Sequence, residues 1–413
     1  MRLIKHLPDP FLMQDGRRVI SVEDWQKRRE EIKDMMLNIQ YGTMPGPPEK
    51  VSVTIIESQT QVNGETCEKL RFDFTAKEDR PDLAFGMDVT VWHPSTDSIV
   101  QRKNTVKGFA QNGIPVLIYV GNRQFEQLLA KGYTVICYEN NQLEPMEMGH
   151  AIVGPARTAY QQLAPDRHSW GSISTWAWGG LRLVDYAHTL SGVNPRQIMI
   201  SGHSRNGKTA LLAGALDERI ALVNPAGSGC AGAGSYLALG EKCEDLAALT
   251  SRERWWAWAH ADFEQWAGGE EELPFDQHFL KALVAPRAVI SNEAFEDLFA
   301  NPLGTQVSSM AAQEAFRFLG VPEKNAITYR HGGHSFTTED WEKILAFAEW
   351  HFFNRPPEDK TVFWNTPLPL AGLDFKGRSN GGAAKKKAVH GKSREPSQPE
   401  PSWISSRSVT RAT

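Results

Sequence analysis

The chain has 413 residues, long enough for a large core and, by length alone, for two or three domains. With 41% hydrophobic residues, 23% charged residues and a formal net charge of −4, its composition is that of an ordinary globular protein and lacks the basic excess of a nucleic-acid or membrane-surface protein. The charge is uneven: residues 376–413 carry nine Lys/Arg against two Glu, so this tail holds about +7 and the rest about −11.

The N-terminal MRLIKHLPDPFLMQDG has no apolar signal core, and no stretch of 18 apolar residues occurs, so the chain as written reads as soluble without an export signal. An amphipathic helix is predicted over residues 22–40, with Ser21 as its N-cap. Alternating, β-branched runs at 51–57, 68–75 and 87–93 predict antiparallel strands. From residue 114 the texture changes. Continuous apolar runs at 114–120, 133–138, 197–201, 220–224, 287–291 and 326–329 predict strands, the first five buried on both faces. Helices are predicted between and after them at 123–131, 171–190, 206–216, 274–284, 308–319 and 338–353. This alternation implies an α/β fold with a mostly parallel sheet covered on both sides. Residues 228–273, Gly-rich and then Trp-rich and acidic, read as an excursion over the C-terminal edge of the sheet. The expected organisation is one catalytic unit over 1–374 and a basic, low-complexity, disordered tail over 375–413.

Four cysteines, Cys67, Cys137, Cys230 and Cys243, do not make a disulfide framework, although Cys230 and Cys243 could pair. No CxxC spacing suggests a metal site. Seven of the 13 Trp fall between residues 170 and 266, where aromatic faces would either fill the core or stack on sugar rings.

The chemistry centres on SGHSRNGK, residues 201–208, which lies between a predicted strand and a predicted helix. Gly202, Ser204 and the turn that follows have the form of a nucleophile elbow, in which a tight strand-to-helix turn lifts a serine hydroxyl above the sheet. The fifth position of the usual GxSxG is Asn206, with glycine one later at Gly207; Asn tolerates strained backbone better than most residues. Such a serine needs a base and an orienting acid, in the chain order Ser, acid, His. His334 in RHGGHSFTTEDW is the expected base, with His331 as the weaker candidate. SNEAFEDLFANP offers Glu293, Glu296 and Asp297 as the acid, with Asp297 preferred over Glu296. The amide of Arg205, together with a donor from the loop 121–123, would form the oxyanion hole.

Gly202-His203-Ser204-Arg205-Asn206-Gly207-Lys208 resembles the elbow of the glucuronoyl esterases, the 4-O-methyl-glucuronoyl methylesterases, and of their bacterial members in particular. Similar stretches are TALLAGALDERIALVNPAGSGCAGA, LPFDQHFLKALVAPRAVI, EDLFANPLG and GGHSFTTEDW, so the resemblance covers about residues 7–355. It implies an α/β-hydrolase fold, a three-layer sandwich with antiparallel N-terminal strands. It also implies hydrolysis of esters between 4-O-methyl-glucuronic acid on xylan and lignin alcohols, without metal or organic cofactor. By the same likeness Ser204 is the nucleophile, His334 the base and Asp297 the acid, Arg205 helps hold the oxyanion and Lys208 binds the uronate hydroxyls. Fungal members place a Glu where Gly227 stands and a disulfide-forming Cys where His203 stands; bacterial members commonly carry a Trp where Phe299 stands, and by the resemblance Phe299 is a substrate-binding residue that can still cover a sugar face. Trp170, Trp178, Trp266, Glu271 or Glu272, Gln277 and His278 are candidates for the sugar-binding rim.

The resemblance further implies a monomer acting on a glucuronoxylan or lignin–carbohydrate ester, secreted or periplasmic, with a cytoplasmic location left open by the missing signal; no nucleic-acid or membrane partner is expected. The competing readings are an acetyl xylan esterase or other carbohydrate ester hydrolase, and a catalytically silent hydrolase-fold binding protein.

Overall fold

Alternate inward-pointing side chains, among them Leu70, Phe72, Phe74, Phe85, Met87, Val89 and Val91, bury one face of an antiparallel unit made of β1 (Lys50–Thr60), β2 (Thr66–Thr75) and β3 (Ala84–His93). The strands are those predicted, each extended by a few residues. A computed structural model of the chain describes residues 2–3, 6–149, 153–164, 169–370 and 410–411.

The continuous apolar runs form β4 (Ile114–Val120), β5 (Thr134–Tyr138), β6 (Val193–His203), β7 (Leu222–Ala226), β8 (Ala288–Ala294) and β9 (Asn325–Arg330). Their order in the sheet is β1-β2-β3-β5-β4-β6-β7-β8-β9. All pairings from β5 to β9 are parallel, and β3 joins β5 antiparallel. Successive residues of β4 feed opposite faces: Val116, Ile118 and Val120 enter one apolar cluster, Leu117 and Tyr119 the other. The first cluster is covered by α2 (Ser172–Ala187) and α3 (Arg205–Leu216), and the second by α5 (Thr338–Phe353). Helices therefore cover both faces of one sheet, giving the three layers of an α/β-hydrolase fold. α1 (Val22–Met36) starts where expected, with the Ser21 hydroxyl accepting from the Asp24 amide at 3.1 Å. α4 (Pro302–Phe318) begins six residues earlier than predicted, because Asn301 in the left-handed region caps it through its side chain. The helix predicted over 274–284 shrinks to His278–Ala282, and two helices, Thr96–Thr105 and Pro155–Leu163, have no counterpart in the prediction. The expected disordered tail lies outside the described residues, except that Thr410–Arg411 pairs with the outer edge of β1.

The excursion over 228–273 consists of turns, short helices such as Leu246–Thr250, and the two-residue strand Ala238–Leu239, which pairs antiparallel with Arg2–Leu3. All four cysteines are free thiols, so the Cys230–Cys243 pair that the sequence allowed does not form. Trp178, proposed for the sugar-binding rim, is instead fully buried. Its ring meets Phe74, Phe85, Tyr160 and Trp170 at centroid distances of 5.1–6.3 Å, and its indole N–H donates to Gly46 O at 3.0 Å. Trp170 is equally buried. Truncating a core Trp removes both apolar contact and packing, so Trp178→Ala should lower the unfolding free energy by about 3–5 kcal/mol. Urea titration followed by far-UV circular dichroism reads this directly.

Candidate active site

Ser204 sits between β6 and α3 with φ 61° and ψ −126°, a conformation that costs a non-glycine residue about 1–3 kcal/mol. The strain is held from several sides. Ser204 N donates to Ala226 O at the end of β7 (2.9 Å), and Ser204 O accepts from Gly207 N and Lys208 N at 2.9 and 3.1 Å. A Cβ at Gly202 would lie 2.2 Å from Asn206 O, and one at Gly207 would lie 2.8 Å from Ala226 O and 3.0 Å from Ser228 Cβ. The second glycine is thus needed one position late, where α3 crosses the end of β7. Asn206 has a task of its own: its Oδ1 accepts from Asn140 Nδ2 at 2.9 Å, and its Nδ2 reaches the Gly121 turn, where a Cβ would meet it at 2.7 Å.

Three strand ends deliver three side chains to one line. Ser204 Oγ lies 2.8 Å from His334 Nε2, and His334 Nδ1 lies 2.7 Å from Asp297 Oδ2. Asp297 follows β8, and its side chain is 5% exposed. His334 follows β9 in a loop pinned by Arg330, which donates to Asp340 Oδ2 (2.9 Å), His331 O (3.1 Å) and Ser335 O. Asp340 also closes a capping box with Thr337 at the start of α5. The two less favoured candidates pair with each other instead: His331 Nδ1 meets Glu296 Oε1 at 3.0 Å on the exposed side of the loop. Hydrogen bonds from His331 and from Gly332 N hold the Glu296 carboxyl below its ordinary range.

Beneath this line a buried polar row crosses the sheet. Ser201 Oγ donates to Asn224 Oδ1 (2.7 Å), Asn224 Nδ2 to Asn292 Oδ1 (2.7 Å), and Asn292 Nδ2 to Thr328 Oγ1 (3.0 Å). These residues lie on β6, β7, β8 and β9, the strands that carry the three side chains and the one between them.

Arg205 is half-buried beside Ser204, and its Nε finds no hydrogen-bond partner among the described residues. Burial lowers its pKa, against the opposing charge of Glu139. Amides in the first turn of a helix have no partner within the helix, so the Arg205 N–H is available. In the loop after β4, Gly121 N donates to Tyr138 O at 2.8 Å, which leaves the amides of Asn122 and Arg123 as that loop's donors. Lys208 departs from expectation. Its ammonium is buried, donates to Ser228 O (2.8 Å) and Cys230 O, and lies 3.5 Å from Glu244 Oε2. An ammonium has three protons, and three protein oxygens surround this one, so in this geometry Lys208 anchors the 228–230 turn instead of presenting donors to a ligand.

Phe299 lies two residues beyond Asp297, 47% exposed, with the Arg254 guanidinium 5.3 Å from its ring centre. Arg254 in turn reaches Glu244 Oε1 at 3.4 Å. Gln277 is fully buried and donates to Tyr41 Oη (3.3 Å) and Gly232 O (2.7 Å), and His278 is buried against Pro8 O; both are corrected to core positions. Trp266 packs half-buried on the core, and Glu271 and Glu272 lie exposed on the one-turn helix Glu270–Glu272. Arg254, Glu244, Asn140 and the polar row were not singled out from the sequence; none carries a local pattern, and each acquires its place through contacts distant in the chain.

Residues 89–320 match the family described as glucuronyl esterase, fungi. The chain is 31% identical to a carbohydrate esterase from an unknown prokaryotic organism, over 84% of this chain and 89% of that one. It is 25% identical to a 4-O-methyl-glucuronoyl methylesterase of Podospora anserina, over 87% and 70%. A carbohydrate esterase family 15 glucuronoyl esterase from Caldicellulosiruptor kristjansonii superposes with a TM-score of 0.74 at 28% identity, covering 90% of this chain and 96% of that one.

Glu293, weighed as a loop acid, belongs to β8 and is 2% exposed. Burial, and then the charge of Asp297, push its pKa well above the ordinary 4.5, against the pull of Lys281. Lys281 is itself pushed down to about 7 by burial. A carboxyl that stays protonated in the fold but ionises in the unfolded chain loses stability as pH rises past its unfolded value. Glu293→Gln keeps the neutral shape. Its advantage in unfolding free energy over the parent should therefore grow as pH rises above the ordinary carboxyl range, by at most about 1.4 kcal/mol per pH unit. A difference that stays flat with pH in urea titrations would mean that Glu293 is ionised in the fold.

Proposed function

The chain belongs to the glucuronoyl esterase family, and on that footing we propose that Ser204, His334 and Asp297 are the catalytic triad of a serine esterase that cleaves glucuronate esters in lignin–carbohydrate linkages. Glucuronoyl esterases are carboxylic ester hydrolases, and the family supports hydrolysis of 4-O-methylglucuronate esters. The observation that carries the reading is the unbroken line Ser204 Oγ, His334 Nε2, His334 Nδ1, Asp297 Oδ2, with bonds of 2.8 and 2.7 Å.

With the buried Asp297 accepting the Nδ1 proton, His334 Nε2 is the acceptor that faces Ser204. As Ser204 Oγ bonds to the ester carbonyl carbon, its proton passes to Nε2, and the carbonyl oxygen takes the negative charge. Arg205, whose Nε has no hydrogen-bond partner among the described residues and whose N–H lies in the first turn of α3, supplies donors for that oxygen, and an amide of the Asn122–Arg123 turn adds another. The C–O bond to the alcohol then breaks, and His334 returns the proton to the departing oxygen. Water, deprotonated by the same Nε2, attacks the glucuronoyl-serine; the acyl–Oγ bond breaks, His334 returns the proton to Ser204 Oγ, and the acid is released. Phe299 offers a sugar ring an exposed aromatic face beside the triad, and Arg254 adds donors next to it.

A second reading, another carbohydrate ester hydrolase, is favoured by one observation: the ammonium of Lys208, expected to mark a uronate site, is occupied by protein oxygens. A side-by-side assay of methyl glucuronate and acetyl xylose esters decides between the two. The uronate reading requires the first to be cleaved with the higher kcat/KM. In either case Ser204→Ala should lower turnover by roughly 10⁴-fold or more with unchanged circular dichroism, and retained turnover would remove the triad assignment.

A further inference from the structure

His203, the last residue of β6, is the side chain that the triad leaves unexplained. Its ring lies against that of His334, with centroids 4.6 Å apart and planes tilted by 37°. Phe336 closes the stack edge-on at 6.0 Å, and Arg123 covers Phe336 at 4.7 Å. Gly227 also lies against His203: a Cβ there would stand 3.3 Å from His203 Nε2 and 3.6 Å from Asp297 Oδ2. Backbone without a side chain at 227 therefore leaves room for the ring at 203, close to the carboxylate that orients His334.

We propose that His203 is a positioning residue for His334: its ring is the wall that fixes the plane of the His334 imidazole, so that Nδ1 and Nε2 point to Asp297 and Ser204 at once. The inference rests on the triad assigned above. An imidazole with one bond at each nitrogen can still rock about the axis that joins them, and a flat neighbour at stacking distance restricts that motion. The wall has a second effect. When His334 takes the Ser204 proton it becomes a cation, and a neutral ring face beside it is a better neighbour than a second cation. Burial, followed by the charges of His334, Arg123 and Arg330 and against that of Asp297, holds His203 neutral, with its pKa pushed down to about 3. Arg330 and Asp340, which pin the His334 loop, and Asp297 are the charged groups that line the same small cavity as His203 and Gly227.

The test compares His203→Phe, which keeps a flat aromatic face, with His203→Leu, which fills the space without one. Three quantities are measured: kcat and KM on a methyl glucuronate ester, the rate of Ser204 labelling by a fluorophosphonate, and the melting temperature. Loose placement of a catalytic group costs up to roughly 10²-fold. His203→Leu should accordingly lower kcat and the labelling rate together by roughly 10- to 100-fold, with KM changed less than about twofold. His203→Phe should stay within about threefold of the parent in both rates, by the aromatic geometry it retains. If the Leu variant is as fast as the Phe variant, or the Phe variant as slow as the Leu variant at an unchanged melting temperature, the positioning role is overturned. Labelling does not require a uronate, so a parent enzyme that is labelled rapidly but leaves the glucuronate ester intact would sink the substrate reading while the Leu and Phe labelling rates still decide the role of His203.

Discussion

The row of hydrogen bonds from Ser201 through Asn224 and Asn292 to Thr328 is the constraint on which the site depends. The C-terminal half of β6 and the whole of β7, β8 and β9 are buried on both faces, so their apolar residues alone would tolerate a slip of one strand past its neighbour. The polar row does not. A slip would leave buried amides unpaired, at about 1–3 kcal/mol for each group, and the four residues occupy directly paired register positions at Ser201/Asn224 and Asn292/Thr328. Since Ser204, Asp297 and His334 stand three, five and six residues beyond members of this row, the register of the sheet becomes the spacing of the three side chains.

Above the row, local strain is resolved by neighbours. Ser204 adopts a positive φ that neither strand nor helix would choose, and Ala226 O, Gly202 and Gly207 allow it no alternative. The cations at the start of α3, which run against the helix macrodipole, are accommodated in different ways. Lys208 is surrounded by two carbonyls and the Glu244 carboxylate; Arg205 keeps an unsatisfied donor beside the serine. One cation is thus structural, and the other is the one that the proposed function assigns to the oxyanion.

The alternation of apolar runs with helical segments was enough to read the layers, because each strand buried on both faces leaves a continuous hydrophobic signature. The meeting of Ser204, His334 and Asp297 was legible for a related reason: each follows a strand end, and glycines beside Ser204 and His334 mark sharp turns. Trp178 and Gln277 were misread because residue type alone does not say which side of a helix or turn faces the core. Trp178 points into a cluster of rings and Gln277 toward Tyr41, 236 residues away in sequence. Lys208 illustrates the same limit, since its partners Ser228, Cys230 and Glu244 come from the excursion, which has no periodic pattern to read. The start of α4 was missed because it is set by Asn301, whose cap depends on a left-handed backbone rather than on apolar spacing.

Asn206 joins two parts of the chain that the serine itself does not touch. Through its hydrogen bond with Asn140 it ties the first turn of α3 to the loop after β5, and its amide packs against the Gly121 turn after β4. The unit that evolution or an engineer can move is therefore larger than the SRNGK pentapeptide. Transplanted alone into another hydrolase scaffold, the motif would arrive with a side-chain amide in search of partners; Asn140 and a side-chain-free position 121 have to travel with it.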